Sequence, residues 1–145
     1  MTARFLLDAS AYWRLMLEPS LREVWAEAVD AGDLAACEAT RAEILYSARG
    51  PEDRDRMTDA LDVLCEPAAV PKNAWRWVDA AQHKLTLAGQ HRSAGPLDLL
   101  VAATAIHHNL TILHDDKDYT ALARVLPEIA EHRVTDDRPH PDHHA

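Results

Sequence analysis

Four acidic positions are spread through the chain: Asp8 in "FLLDAS", Glu43 in "TRAEIL", Asp98 in "GPLDLL" and Asp116 in "LHDDKDY". Each has an ordinary structural account when taken alone. Asp8 follows an apolar run and suits a helix N-cap, with Ser10 as a rival for that role. Glu43 stands three residues after Thr40, the spacing of a capping box. Asp98 falls at the third helical position if Gly95 is the cap, where the helix dipole favours negative charge. Asp115, Asp116 and Asp118 follow a strand-like run, and turns favour aspartate. Asp98 is the odd one, because it lies in the otherwise apolar "GPLDLLVAATAIHH". A desolvated carboxylate has to be protonated, paired or bound to a cation.

The elements that would position these acids are legible from apolar period and caps. Strand-like runs are "RFLLD" (4–8), "DLAACE" (33–38), "DVLCEP" (62–67), "LTILHDD" (110–116) and "EHRVTD" (131–136). Between them, helices are expected over 9–17, 20–31 ending at Gly32, 40–49 ending at Gly50, 51–64 opening at Pro51, 71–88 stopped by Gly89, and 96–108 opened by Gly95-Pro96. Proline in the first helical turn and glycine past the last one set these limits. The alternation predicts an α/β domain with a central, mostly parallel sheet flanked by helices. Helix 96–108 is apolar on nearly every face and should be sandwiched in the core. Helix 9–17 is also apolar around most of its circumference, which suits either core or contact with another chain.

In such a sheet the carboxyl ends of strands and the first turns of the following helices collect along one edge. Asp8 and Asp116 belong to strand ends, Glu43 and Asp98 to first helical turns, so all four can meet. Two unit charges about 5 Å apart repel by roughly 3 kcal/mol at an effective dielectric of 20. Caps worth about 1 kcal/mol do not offset several such pairs. Neutralisation by Arg14, Arg41 or Lys117 is one escape, although Arg41 is two positions from Glu43 and so on a different helix face. The other escape is a divalent cation. An all-oxygen set without histidine or thiolate is what Mg²⁺ or Mn²⁺ selects, and such a site implies phosphate chemistry.

Composition narrows the alternatives. The 145 residues fit one domain, here 1–136, with a His/Pro-rich tail over 137–145 that is expected to be disordered. The formal net charge of -9, from 24 acidic and 15 basic residues, argues against a broad positive face that clamps nucleic acid. It leaves room for nucleic acid held by cations and a few arginines. Cys37 and Cys65 lack partners at metal-ligand spacing and read as core residues. No membrane span or secretory leader is evident, which points to the cytosol. Dinucleotide and phosphate-loop folds need glycine-rich turns, and the chain has 4 glycines. An aspartyl-nucleophile phosphatase wants a second Asp two residues after the first, where Ser10 stands.

"FLLDASAYWRL", "RAEILYSAR", "HRSAGPLDLLVAATA" and "TILHDDKDY", in this order, resemble the PIN-domain ribonucleases and among them the VapC toxins of toxin-antitoxin pairs. The resemblance spans about residues 4–126, with "DAS" in place of the commoner "DTS". It implies a three-layer PIN-like fold and a Mg²⁺- or Mn²⁺-dependent endoribonuclease whose nucleophile is an activated water. By position the acidic quartet falls on Asp8, Glu43, Asp98 and Asp116, with Asp118 able to share the last role and Asp115 ranked behind it. Ser10 would help order the site. The resemblance also implies a homodimer and a small VapB-like antitoxin lying across the acidic groove. Tyr12, Trp13, Leu15, Met16 and Leu17 are candidates for apolar contact surface, set against ordinary core. Arg14 and Arg92 are candidates for contacts with RNA phosphate or antitoxin, set against solvated surface pairs. His114 reads as a buried strand residue rather than a base. The rival from another class is a catalytically silent module of the same fold that acts through protein partners.

Overall fold

The computed structural model describes residues 2–136; the expected tail lies outside them. Five strands form one sheet: β1 (Phe5–Leu7), β2 (Leu34–Ala36), β3 (Glu66–Pro67), β4 (Thr111–His114) and β5 (Glu131–Arg133). The order is β3-β2-β1-β4-β5 and every pairing is parallel. Phe5 pairs with Leu34 on one side and Thr111 on the other, so β1 is central. Its three residues are all buried, as a strand covered on both faces requires.

Alternation along the strands divides the core in two. Leu6, Ala35 and Ile112 face one layer, built from α5 (Ala74–Leu87), α6 (Pro96–His108) and α7 (Lys117–Val125). Phe5, Leu7, Leu34, Ala36 and Leu113 face the other, with α1 (Ala9–Leu17), α2 (Pro19–Asp30) and α4 (Pro51–Leu64). The remaining helix, α3 (Glu38–Tyr46), sends Ala39 to the first layer and Ile44 and Leu45 to the second. This is a three-layer α/β domain. Residues Leu99–Ala105 of α6 are all buried, which accounts for the missing polar face of that helix.

Two glycine stops hold: α2 and α5 run into Gly32 (φ 75) and Gly89 (φ 69), left-handed positions that glycine adopts without strain. The stop expected at Gly50 does not, since α3 ends at Tyr46, where the Ser47 amide turns back to Ile44 at 3.2 Å. Four other expectations shift. The helix expected from residue 40 begins at Glu38, because Cys37 already accepts from the Arg41 amide at 3.0 Å. The strand expected over 62–67 shrinks to Glu66–Pro67, since α4 continues through Leu64; Pro67 has no N–H to extend the ladder. The helix expected from residue 71 starts at Ala74, whose amide closes a turn on Pro71 at 3.0 Å. Helix α7 was not expected: the aspartates of "HDDKDY" suggest a turn, whereas Asp116 acts as an N-cap and the chain continues as helix.

Candidate active site

The strand order reverses at β1, whose neighbours β2 and β4 depart in opposite directions, and the crevice beyond β1 and β4 is where such sheets bind ligands. Asp8 follows β1 directly, with its amide bonded to Leu113 at 2.9 Å. It is the N-cap of α1 and is buried at 4% exposure. Its Oδ2 accepts from the Ser10 amide at 3.0 Å and the Ser10 hydroxyl at 2.6 Å, and its Oδ1 accepts from the Tyr119 hydroxyl at 2.8 Å. Ser10 therefore supports the cap rather than forming it. Its hydroxyl oxygen also accepts from the Asp115 amide at 2.9 Å, fastening the loop after β4 to α1.

Asp98 occupies the expected place in the first turn of α6, where its Oδ2 accepts from the Gly95 amide at 3.3 Å. Burial and the charges of Asp8 and Asp116 raise its carboxyl above the usual range, against the lowering effect of the Gly95 and Tyr119 hydrogen bonds. The capping box expected at Thr40 and Glu43 is absent. Thr40 lies buried inside α3 with its hydroxyl 3.7 Å from the Cys37 sulfur, and Glu43 sits in the second turn, not the first. Burial, then the charges of Asp8, Asp98 and Asp116, push the Glu43 carboxyl up. Losing the cap explanation leaves Glu43 defined by the three acids it faces.

The loop after β4 sorts its aspartates. Asp116 caps α7 through the Asp118 amide at 2.9 Å and acts electrostatically on both Glu43 and Asp98. Asp118 contributes that amide. Asp115 turns to Arg14 at 3.1 Å, with Arg133 4.0 Å away. Arg14 also pairs with Glu18 at 3.0 Å and Arg41 with Asp62 at 3.0 Å, so neither arginine considered for neutralising the cluster is spent on it. Arg92 is exposed in the turn before α6. His114 is fully buried; its Nδ1 accepts from the Asp116 amide at 3.1 Å, which puts the ring proton on Nε2, donated to Glu131 at 2.7 Å.

Tyr119 is not among the residues expected from the sequence, because α7 is not among the expected helices. Its phenol is buried between Asp8 and Asp98, and burial together with those two charges holds it well above its ordinary titration range, so it stays a donor. The signal that could have found it is the spacing of Tyr119, Leu122 and Leu126, all buried and consistent with one helix face.

The donor set is all carboxylate oxygen, and the charges of Asp8 and Asp116 reach both Glu43 and Asp98, a chemistry that suits Mg²⁺ or Mn²⁺. Among the described residues, no three Asp, Glu, His or Cys side chains are drawn together as a closed ligand cage. The physical reason lies in the contacts: Asp8 is turned to Ser10 and Tyr119, Asp98 to Gly95, and Asp116 to the start of α7.

A family model described as PIN domain matches residues 5–125. Ribonuclease VapC6 of Mycobacterium tuberculosis is 41% identical over 101 residues, covering 70% of this chain and 80% of that protein. Ribonuclease VapC21 of the same organism is 36% identical over 135 residues, covering 90% and 94%. Among solved structures, the VapBC2 complex of Rickettsia felis bound to a promoter DNA fragment superposes with a TM-score of 0.73 at 16% identity, covering 89% of this chain and 97% of that one.

Proposed function

The chain belongs to the PIN-domain family, with VapC ribonucleases among its relatives, and on that premise we propose that it is a divalent-metal-dependent endoribonuclease toxin neutralised by a small VapB-like antitoxin. The observation that carries the reading is the convergence of acids from separate parts of the chain: the Tyr119 hydroxyl lies 2.8 Å from Asp8 and 3.4 Å from Asp98, and Glu43, its carboxyl raised first by burial, also feels the charges of Asp8, Asp98 and Asp116. Asp8, Glu43, Asp98 and Asp116 would hold Mg²⁺ or Mn²⁺, and Asp118 is the reserve for the last place. When bound, the ion supplies Lewis-acid charge at the scissile phosphate and the attacking water. Overall, water adds across a phosphodiester and one P–O bond to the ribose breaks.

The protein's own groups prepare the site. Ser10 fixes the Asp8 carboxylate and the Asp115 backbone at once. The His114–Glu131 pair anchors the backbone at Asp116. With a net charge of -9 the chain grips RNA through few contacts, and Arg14 and Arg92 are the arginines proposed for phosphate. The antitoxin proposal draws on the relatives: solved neighbours include VapBC complexes and a toxin-antitoxin complex from Klebsiella pneumoniae. An acidic cleft is a natural seat for a partner's arginine. A homodimer is proposed through α1, where Leu17 is 75% exposed and Trp13 36%, while Tyr12 and Leu15 belong to the core. No helix among the described residues is long and apolar enough to cross a membrane, in keeping with the proposed cytosolic setting.

The test is cleavage of RNA oligonucleotides by the purified chain with Mg²⁺, beside Asp8→Asn. Outer partners of metal ligands are worth about 10- to 100-fold, so losing a ligand should lower the rate by about 100-fold or more. An Asp8→Asn protein that folds and cuts as fast as the parent removes the proposal. It would leave the silent binding module in its place.

A further inference from the structure

We infer that Tyr119 is a positioning residue of the acidic site: its hydroxyl aims one oxygen of Asp8 for cation binding and holds Asp98 alongside. This rests on the metal-site reading above. Tyr119 has 0% exposure, and its ring lies 5.1 Å from that of His114 within the layer formed by α5, α6 and α7. Packing alone would be met by phenylalanine, whereas a buried hydroxyl is costly unless it finds a partner.

It finds two. Asp8 Oδ1 is 2.8 Å away and Asp98 Oδ1 3.4 Å. The phenol has one proton, so the shorter contact takes it and Asp98 stays beside the same oxygen. On the far side of the Asp8 carboxylate, Oδ2 already accepts from both the amide and the hydroxyl of Ser10. A carboxylate oxygen offers about two acceptor sites. Oδ2 is therefore filled, and Oδ1 retains one direction after Tyr119 takes the other. Asp8 is clamped between α1, which supplies Ser10, and α7, which supplies Tyr119. The hydroxyl sets which way the remaining lone pair of Oδ1 points.

Calorimetric titration of Mn²⁺ into the full chain and into Tyr119→Phe separates this role from packing, because the variant keeps the ring. We expect binding weakened by about 10- to 100-fold, the range for removing a group that orients a ligand, with RNA cleavage losing kcat more than it raises KM. A folded variant that binds Mn²⁺ as the parent does overturns the inference and leaves the nuclease reading standing. A parent that takes up no Mn²⁺ overturns both. Should the variant fail to fold, the parent labelled with ¹³C-tyrosine serves: the Tyr119 signal must move as Mg²⁺ is added, and more than that of Tyr12. A Tyr119 signal that stays still counts against the inference.

Discussion

Glu43 shows what a single residue contributes to this site and what it costs the fold. Nothing among the described residues donates a hydrogen bond to it, and its surroundings raise its carboxyl through burial first and then through Asp8, Asp98 and Asp116. An acid whose folded value exceeds its unfolded value destabilises the native state above the folded value. That cost fades as pH falls through the folded value and vanishes below the unfolded one, about 4.3 for glutamate. Glu43→Gln should therefore stabilise the metal-free protein near pH 7 to 8, on the order of 1 kcal/mol, the size of one like-charge contact in a hydrated site. The gain should close towards pH 4. Urea melts in the presence of a chelator at both ends of that range measure it, and a variant less stable than the parent at pH 8 contradicts the electrostatic account. Cleavage, if Glu43 serves as the proposed metal ligand, should fall in the same variant.

At the level of elements, α3 carries Glu43 to its place without the capping box that its sequence suggests. The helix starts two residues earlier, with Glu38 turned away to accept the Val70 amide at 2.9 Å. Thr40 then has only a sulfur contact at 3.7 Å, so Thr40→Val should change stability by no more than about 0.5 kcal/mol and leave cleavage intact, whereas a true cap would cost about 1 kcal/mol. Thermal melts and the RNA assay settle which. The T-x-x-E spacing misled because two sequence signals coincide on one helix and tertiary context selects the start. Elsewhere local signals sufficed. Gly95-Pro96 and Asp98 specify the entry to α6, and "FLLDAS" specifies strand, cap and helix in turn. Helix α7 escaped because its aspartates are also good turn residues, and with it went Tyr119, whose role depends on two acids distant in sequence.

On the scale of the whole molecule, sheet order brings four scattered acids within electrostatic reach of one another, and the cation site proposed there is the part of the structure an ion should stabilise most. A ligand present at about 100 times its dissociation constant adds about 2.7 kcal/mol to the native state. For a domain of this size each kcal/mol is worth roughly 2–4 °C, so saturating Mn²⁺ should raise the melting temperature by about 5–10 °C at pH 8, and a chelator should abolish the rise. Protons compete for the same oxygens. Because the Glu43 and Asp98 carboxyls are both raised, they take up protons sooner than ordinary acids as pH falls, and the Mn²⁺ shift should be smaller at pH 5 than at pH 8. Loose association of cations with a chain of net charge -9 would give a different result. Diffuse binding is screened by salt, so the shift would fade in about 0.5 M NaCl and persist in Asp8→Asn. A site built at the β1–β4 crevice predicts the reverse: a shift that survives that salt and disappears with the Asp8 charge. Calorimetric melts of the parent and Asp8→Asn across these conditions decide between the two, and an unchanged shift in the variant would mean that the fold gathers these acids without making them ligands.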